Sequence, residues 1–433
     1  MHLAQRAYVL ISLAAVLAIA GIWSSQPGIP EWWKVPGGLL LLGLAAEAWL
    51  MRRPALTAEL TTAAQGFLGR AQPAYLCFSN AGRRSLTVEY APVAPPGVAA
   101  FADSTREVRI GAAGIVRDPF LLLPVRLGPL SWPSLPARIR GPLGLAWWSS
   151  ELPLQARISV APDTLRAVRV RPLGNPTGFR SRRVIGAGSE LHQLRGYVPG
   201  DPPARIDWKA TARTRKLVTR EYNEDQHLDV LVAVDAGRLS QIRAGPLDRY
   251  GLYANIAARL AETVVPNDDR IGLLVFAERP VAFCPPDRGL PALTRMRRTL
   301  ERLVVETAES DPLSAAVRIR RTLRHRSLVV LLTDISDRVV AGRLVRAVKL
   351  LSPPHLVVVA GVRSQEIADL ARAEARDWRD PWIALAAQEH EHGIATQKTL
   401  LRRLGAPVIV ASEDVLEQTV LLEYEALRRA RRV

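Results

Sequence analysis

LDVLVAVDAG, residues 228–237, is an apolar run that closes on Asp235 and a glycine, and it opens a regular alternation. DRYGLYANIAARLAETVV (248–265) has helical spacing, and RIGLLVFAE (270–278) with RPVAFCPPD (279–287) reads as a pair of strands. PALTRMRRTLERLVVE (291–306) and DPLSAAVRIRRTLR (311–324) read as helices, SLVVLLTDI (327–335) as a strand and VVAGRLVRAVKLL (339–351) as a helix. HLVVVAGV (355–362) is the next strand, followed by a helical region from Ser364 to Leu404 broken near Pro381. APVIVAS (406–412) is the last strand and DVLEQTVLLEYEALRRARR (414–432) a closing helix. Strands of near-continuous Val and Leu are buried on both faces, which requires helices on both sides of a mostly parallel sheet. The sequence therefore predicts an α/β doubly wound fold over 228–433, with its ligand crevice at the carboxyl ends of the strands. Two of those strands end in acids, Asp235 and Asp334, so both carboxylates are expected at the crevice.

Upstream, the pattern changes. Residues 56–163 carry short apolar runs broken by Gly, Pro and Asn, such as PAYLCFSNAGRRSLTVEY and REVRIGAAG, with no long helical period. That is the signature of a small antiparallel β-sandwich. Residues 164–227 are basic and irregular, apart from a short helix expected around Trp208–Lys216.

The first 55 residues read as a membrane hairpin. AYVLISLAAVLAIAGIW (7–23) holds no charge, and its 17 residues are the short end of what crosses a hydrocarbon core of roughly 30 Å. VPGGLLLLGLAAEAWLM (35–51) is the second span, and SSQPGIPEWWK (24–34), with its Trp pair, the interfacial connection. Glu47 is the awkward residue, one turn from the end of the second span, where a charge costs less than at the centre. Arg6 before the first span and Arg52 and Arg53 after the second place both ends on the cytoplasmic side. The alternative for the first span is a cleaved signal peptide, since Ala18-Ile19-Ala20 resembles a cleavage site, and for the second a buried core helix.

Composition bounds the class. Of 433 residues, 48% are hydrophobic and 23% charged, too apolar for a disordered chain. Cys77 and Cys284 lie far apart, which excludes a disulfide framework or a Cys/His zinc site on spacing. The net charge is +17, and between Arg166 and Arg220 there are 13 Lys/Arg against three acids. Such a balance suits nucleic acid, an anionic leaflet or an acidic protein partner.

The segment GSELHQLRGYVPGDPPARIDWKATARTRKLVTREYNED, Gly188 to Asp225, carries Glu190, then Leu194, Arg195, Tyr197, Pro199, Gly200 and Asp201, then Arg205, Ile206, Asp207, Trp208, Ala212 and Arg213. At this spacing it resembles the signature of the bacterial family called domain of unknown function 58. The resemblance extends along most of the chain, including a G-P-L-G-L element at Gly141–Leu145. It implies a membrane hairpin, a β-rich region and a von Willebrand factor A-like domain. It also implies an association with AAA+ ATPases of the MoxR type. On the residues alone, Pro199-Gly200-Asp201 is a tight turn. Arg195, Arg205 and Arg213 are placed to clamp Glu190, Asp201 and Asp207 with bidentate bonds. Trp208 can pack on a face or stack on an arginine. This set is either an ion-pair and aromatic brace or a binding surface for a partner.

Von Willebrand A-like domains often hold a divalent ion through D-x-S-x-S, a later Thr and a later Asp, as the resemblance implies. Here the first motif reads Asp235-Ala236-Gly237-Arg238-Leu239, with both serines missing, and Glu309-Ser310-Asp311 stands at the threonine loop. Asp334 fits the late acid, after Thr333. Asp235, Ser310 and Asp334 are thus a degenerate metal set for an ion such as Mg²⁺, which wants a near-octahedral oxygen shell. No cofactor is the main expectation. No phosphate loop, nucleophile elbow or H-E-x-x-H motif occurs.

The leading expectation is a multi-pass protein of the bacterial inner membrane, with cytoplasmic termini and body. It is expected to act as an adaptor or scaffold for a protein partner, such as a MoxR-type ATPase, and not as an enzyme. Two alternatives stay open: a metal-dependent enzyme at the Asp235/Asp334 crevice, and binding of nucleic acid or an anionic surface through residues 166–220. Nucleic acid is the less favoured partner, because membrane lipid accounts for the basic segment.

Overall fold

The structure, a computed structural model, describes residues 2–23, 31–51, 55–92, 94–99, 105–163, 185–186, 190–223, 228–303 and 305–430. Most of the basic stretch from 164 to 189 lies outside the described residues, as does 224–227. Two compact units emerge: Met1–Asp163 with Arg238–Asn255 and Arg297–Glu306, and Thr164–Gly237 with Ile256–Met296 and Thr307–Val433.

The first unit opens with two apolar helices, α1 (Gln5–Trp23) and α2 (Lys34–Leu50). Their side chains are apolar all round and largely uncovered, Val16, Ile19, Leu41 and Leu42 among them. Exposed apolar surface on this scale marks a face meant for another apolar medium. α1 is long and apolar enough to cross a membrane, by length and composition. α2, at 17 residues, is shorter.

A β-sandwich follows. Its strands are β1 (Leu56–Thr62), β2 (Gln72–Asn80), β3 (Leu86–Tyr90), β4 (Arg106–Ile110), β5 (Ile115–Pro124), β6 (Gly128–Arg140) and β7 (Ala146–Ala161). One sheet runs β7-β6-β3-β4, extended beyond β7 by the short strand His2–Leu3 and, in parallel, by Gln65–Phe67. The other runs β1-β2-β5 and ends on Val98–Ala99. Side chains alternate in and out with a period of two. Ala74, Leu76 and Phe78 of β2 thus meet Val88, Ile139, Leu152 and Ile158 of the facing sheet in one core. Leu247 joins that core, while the Asn255 amide accepts from the Asp163 N–H at 2.8 Å. These contacts explain why 238–255, part of the α/β stretch in sequence, cluster with the sandwich.

β6 and β7 form the longest hairpin, joined by the turn Gly141–Leu145, and Gly144 there takes φ +72°. This turn receives both ends of the helical pair. The Glu47 carboxylate, fully buried in the last turn of α2, accepts on Oε1 from the N–H groups of Leu143 (2.8 Å) and Leu145 (3.1 Å). On Oε2 it accepts from the Ala146 N–H (3.0 Å) and the Trp148 indole N–H (3.4 Å). From the start of α1, the Arg6 guanidinium donates to the Leu143 carbonyl at 3.0 Å, and Ala4 N–H donates to the Leu145 carbonyl at 2.8 Å. Gly141 has to be glycine, since a Cβ there would meet the Glu47 carboxylate at 2.2 Å.

The second unit contains β8 (Glu190–Gly196), α3 (Trp208–Thr214) and β9 (Val218–Asn223), with β8 and the short strand Ile185–Gly186 flanking β9. In sequence then come β10 (Asp229–Asp235), α4 (Arg249–Val264, which belongs to the first unit up to Asn255), β11 (Arg270–Phe276), β12 (Pro280–Asp287), α5 (Gly289–Arg302, which belongs to the first unit from Arg297) and α6 (Pro312–Thr322). β13 (Leu328–Leu332), α7 (Arg338–Leu351), β14 (Leu356–Val362), α8 (Gln365–Leu370), α9 (Asp380–Arg403), β15 (Val408–Ala411) and α10 (Leu416–Arg429) complete it. The sheet order is β12-β11-β10-β13-β14-β15, with only β12 antiparallel. Counted from β10 this is 3-2-1-4-5-6, the doubly wound order whose direction reverses between the first and fourth strands. The helical region from Ser364 to Leu404 is broken as expected near Pro381: α8 ends at Leu370 and α9 begins at Asp380, with Pro381 in its first turn, where a missing N–H is harmless.

Asp269 ties the ends of this unit together. It accepts from Leu228 N–H (3.1 Å), the Tyr424 hydroxyl (2.8 Å) and the Arg428 guanidinium (2.8 Å). Tyr424→Phe removes one hydrogen bond to a buried charge, so denaturant unfolding of the purified full chain should show a loss of about 1.5–3 kcal/mol. His355 is buried, and burial with the nearby Arg320 charge holds its pKa below the usual imidazole value. Below about pH 6.5 the unfolded chain takes up a proton that the folded one resists, so stability falls with pH. His355→Leu should flatten that fall, and an unchanged slope would refute the assignment.

Candidate functional site

The crevice forms where the sheet reverses. Val234 of β10 pairs beside Leu332 of β13, so Asp235 and Thr333 emerge side by side at the carboxyl ends of adjacent strands. Asp235 is 1% exposed. Its Oδ1 accepts from Gly237 N–H at 2.9 Å and from the Ser310 hydroxyl, and its Oδ2 from the Thr333 hydroxyl at 2.6 Å. Burial pushes the Asp235 carboxyl up, against the pull of those donors, and the neighbouring Asp334 charge adds to the rise. Asp334 accepts on Oδ1 from the Ser336 N–H (2.8 Å) and hydroxyl (2.7 Å). Ser310 precedes Asp311, which caps α6, and its carbonyl accepts from Arg343 at 3.4 Å. Of the degenerate metal set, Asp235 and Ser310 are therefore in direct contact, and Asp334 is near enough for its charge to act on Asp235.

The groups around Asp235 are already engaged with one another. A Cβ on Gly237 would come within 2.2 Å of Ser310 Oγ, so the room that a serine would use is filled by the Ser310 hydroxyl. Both oxygens of Asp235 already meet donors, and among the described residues no three His, Cys, Asp or Glu side chains are grouped as an ion would need.

The basic segment holds the second cluster. Arg195 of β8 donates through both Nη atoms to Asp201 at 2.8 Å each, and through Nε to Glu221 of β9 at 2.8 Å. Gln193 adds a bond to Glu221 at 2.7 Å, and Val198 N–H one to Asp201 at 3.0 Å. The Arg195 side chain holds Asp201 well below the usual carboxylate range. The turn carrying Pro199 and Asp201 forms as the sequence predicts, with Gly200 at φ +110°. Asp207 is the N-cap of α3, accepting from Lys209 and Ala210 N–H groups, and its second oxygen meets Arg220 at 2.9 Å. Those bonds, the Ala210 N–H first, also lower its pKa.

The clamp differs from the one expected. Arg195 takes Asp201, but Asp207 is met by Arg220. Among the described residues Arg205 and Arg213 form no ion pair. The Glu190 side chain lies outside the described residues. Glu221 and Arg220 were missed because they stand on the returning strand, 26 and 13 residues from their partners. Among the described residues Trp208 stacks on no arginine; it is 67% exposed. Tyr197 is anchored through its N–H to the Leu217 carbonyl.

A 3-2-1-4-5-6 sheet with acids at the ends of the two strands flanking its reversal is a doubly wound α/β domain with its crevice at that reversal. Residues 193–390 match the model of the family described as Protein of unknown function DUF58. A relative is the uncharacterized protein Rv1480 of Mycobacterium tuberculosis, 25% identical over 261 residues, 57% of this chain and 81% of that one. The uncharacterized protein YeaD of Bacillus subtilis is 25% identical over 142 residues, 31% of this chain and 33% of its own. Among solved structures, BatB from Bacteroides thetaiotaomicron is 14% identical, covering 47% of this chain and 99% of that chain, with a TM-score of 0.32. The SpRpn10 VWA domain is 10% identical over 45% of this chain and 94% of its own, with a TM-score of 0.30.

Restoring the missing serine should harm the fold and build no site. Gly237→Ser is expected to cost about 1–3 kcal/mol through overpacking. Calorimetric titration of the natural chain with Mg²⁺ or Mn²⁺ at millimolar concentration should give no saturable heat.

Proposed function

We propose that this chain is a membrane-anchored adaptor, held in the bacterial inner membrane by α1 and α2 with its termini and body in the cytoplasm. It presents its von Willebrand factor A-like domain to a protein partner, a MoxR-type AAA+ ATPase engaged in complex assembly or maturation. It is not an enzyme and needs no resident cofactor.

One observation carries the reading. The signature spends its acids internally, on Arg195, Arg220 and the start of α3, and turns its other groups outward. Trp208 is exposed, and Leu194 and Leu217 are nearly half so. Leu194 pairs beside Arg220, which bonds Asp207, the residue before Trp208, so these groups are neighbours. Among the described residues Arg205, Lys209, Arg213, Arg215 and Lys216 form no ion pair. Exposed Trp and Arg are the side chains that dominate the energetics of protein interfaces. The crevice supports the same reading, because its buried acid is occupied in holding two strand ends and a loop together.

The test is reconstitution of the full chain in nanodiscs and addition of the purified MoxR-type ATPase of the same organism. Binding is expected. Trp208→Ala with Arg213→Glu should weaken it at least tenfold, equivalent to about 1.4 kcal/mol. No binding by the natural chain, or equal binding by the double variant, would contradict the proposal.

A further inference from the structure

The turn Gly141–Leu145 reaches unusually far along α2. A Cβ on Gly43 would stand 2.5 Å from Leu145 Cδ1 and 3.6 Å from Leu143 Cδ1, so both leucines lie against that glycine. Gly43 is seven residues before Leu50, about 10 Å along the helix axis. The tip of the sandwich therefore lies alongside the C-terminal half of the second apolar helix, from Gly43 to Glu47. Leu143 is 46% exposed, and Trp49 of α2 and Tyr8 of α1 are uncovered too. Arg6 bonds the turn, and Arg140 lies over the Trp147 ring at 5.9 Å.

An irregular turn beside a membrane helix has a specific problem: its N–H groups lose water and have no ladder partners. A carboxylate in an apolar helix has the converse problem. Glu47 resolves both, offering two oxygens to three backbone N–H groups and one indole N–H. We propose that the β6–β7 turn is a membrane-inserted tip. In this reading Leu143 enters the boundary between headgroups and acyl chains, Trp147 and Trp148 lie in the interfacial layer, and Arg6 and Arg140 face anionic headgroups. The occupant of this surface is bilayer lipid, continuous with the lipid that covers α1 and α2. This rests on the reading of α1 and α2 as a membrane anchor. Aromatic rings and cations at this level are what an anionic leaflet favours.

The experiment uses the full chain in phosphatidylglycerol-containing nanodiscs, with Cys77 and Cys284 replaced by serine and one environment-sensitive label at a time. Labels stand at Val16→Cys on α1, Leu143→Cys at the tip, Pro142→Cys as a second tip site, and Gly111→Cys on the β4–β5 turn. Lipids with a shallow doxyl quencher should quench the tip labels at least threefold more than the Gly111→Cys label, and deep-doxyl lipids should quench Val16→Cys. Quenching at Val16→Cys with both tip labels behaving like Gly111→Cys overturns the tip and leaves the anchor standing. No quenching at Val16→Cys removes the anchor and the tip together.

Discussion

The bond set between Glu47 and the β6–β7 turn is the constraint from which the first unit is organised. Neither side is stable alone: a carboxylate withdrawn from water needs donors, and an unladdered turn withdrawn from water needs acceptors. Four N–H groups on one carboxylate satisfy both. Because Glu47 sits in the last turn of α2, and Arg6 and Ala4 at the start of α1 bond the same turn, the helical pair and the sandwich share one fixed junction in place of a loose tether.

The same logic recurs at Asp235 and Asp269. Each is an acid withdrawn from water and met by donors from separate segments: a loop and a neighbouring strand end, and the C-terminal helix. At the crevice this matters for function. The strand-end acid stands where a doubly wound sheet forms its crevice. Here its carboxylate joins two strand ends and the Ser310 loop. The groups left facing outward are those of the signature, an exposed tryptophan among cations that form no ion pair among the described residues.

Much of this was legible in the chain. The run of Val and Leu from 230 to 234 and its counterparts fixed a doubly wound sheet, because only strands covered on both faces tolerate such continuity. The turn at Pro199–Asp201 and the helix at Trp208 were equally clear, since both depend on local residues. The long β6–β7 hairpin was not, because Pro129, Pro133, Pro136 and Pro153 read as breaks. Between Gly128 and Pro136 β6 pairs only with β7, which leaves one edge free for residues without an N–H, and Pro153 falls at an irregularity in the ladder. The partners of Asp207 and Arg195 were hidden for another reason: Arg220 and Glu221 are brought close by strand pairing and not by spacing. Glu47 stood out as an anomaly in an apolar span, and G-P-L-G-L as an isolated element. Nothing in the sequence joined residues nearly a hundred positions apart.

Residue-resolved hydrogen exchange of the full chain in nanodiscs tests the junction directly. The amides of Leu143, Leu145 and Ala146 should be strongly protected in the natural chain. Glu47→Ala should speed their exchange by at least tenfold while the Leu228–Asp235 strand is unchanged. Equal protection in both chains would mean that the turn does not depend on the carboxylate, and the account would fail.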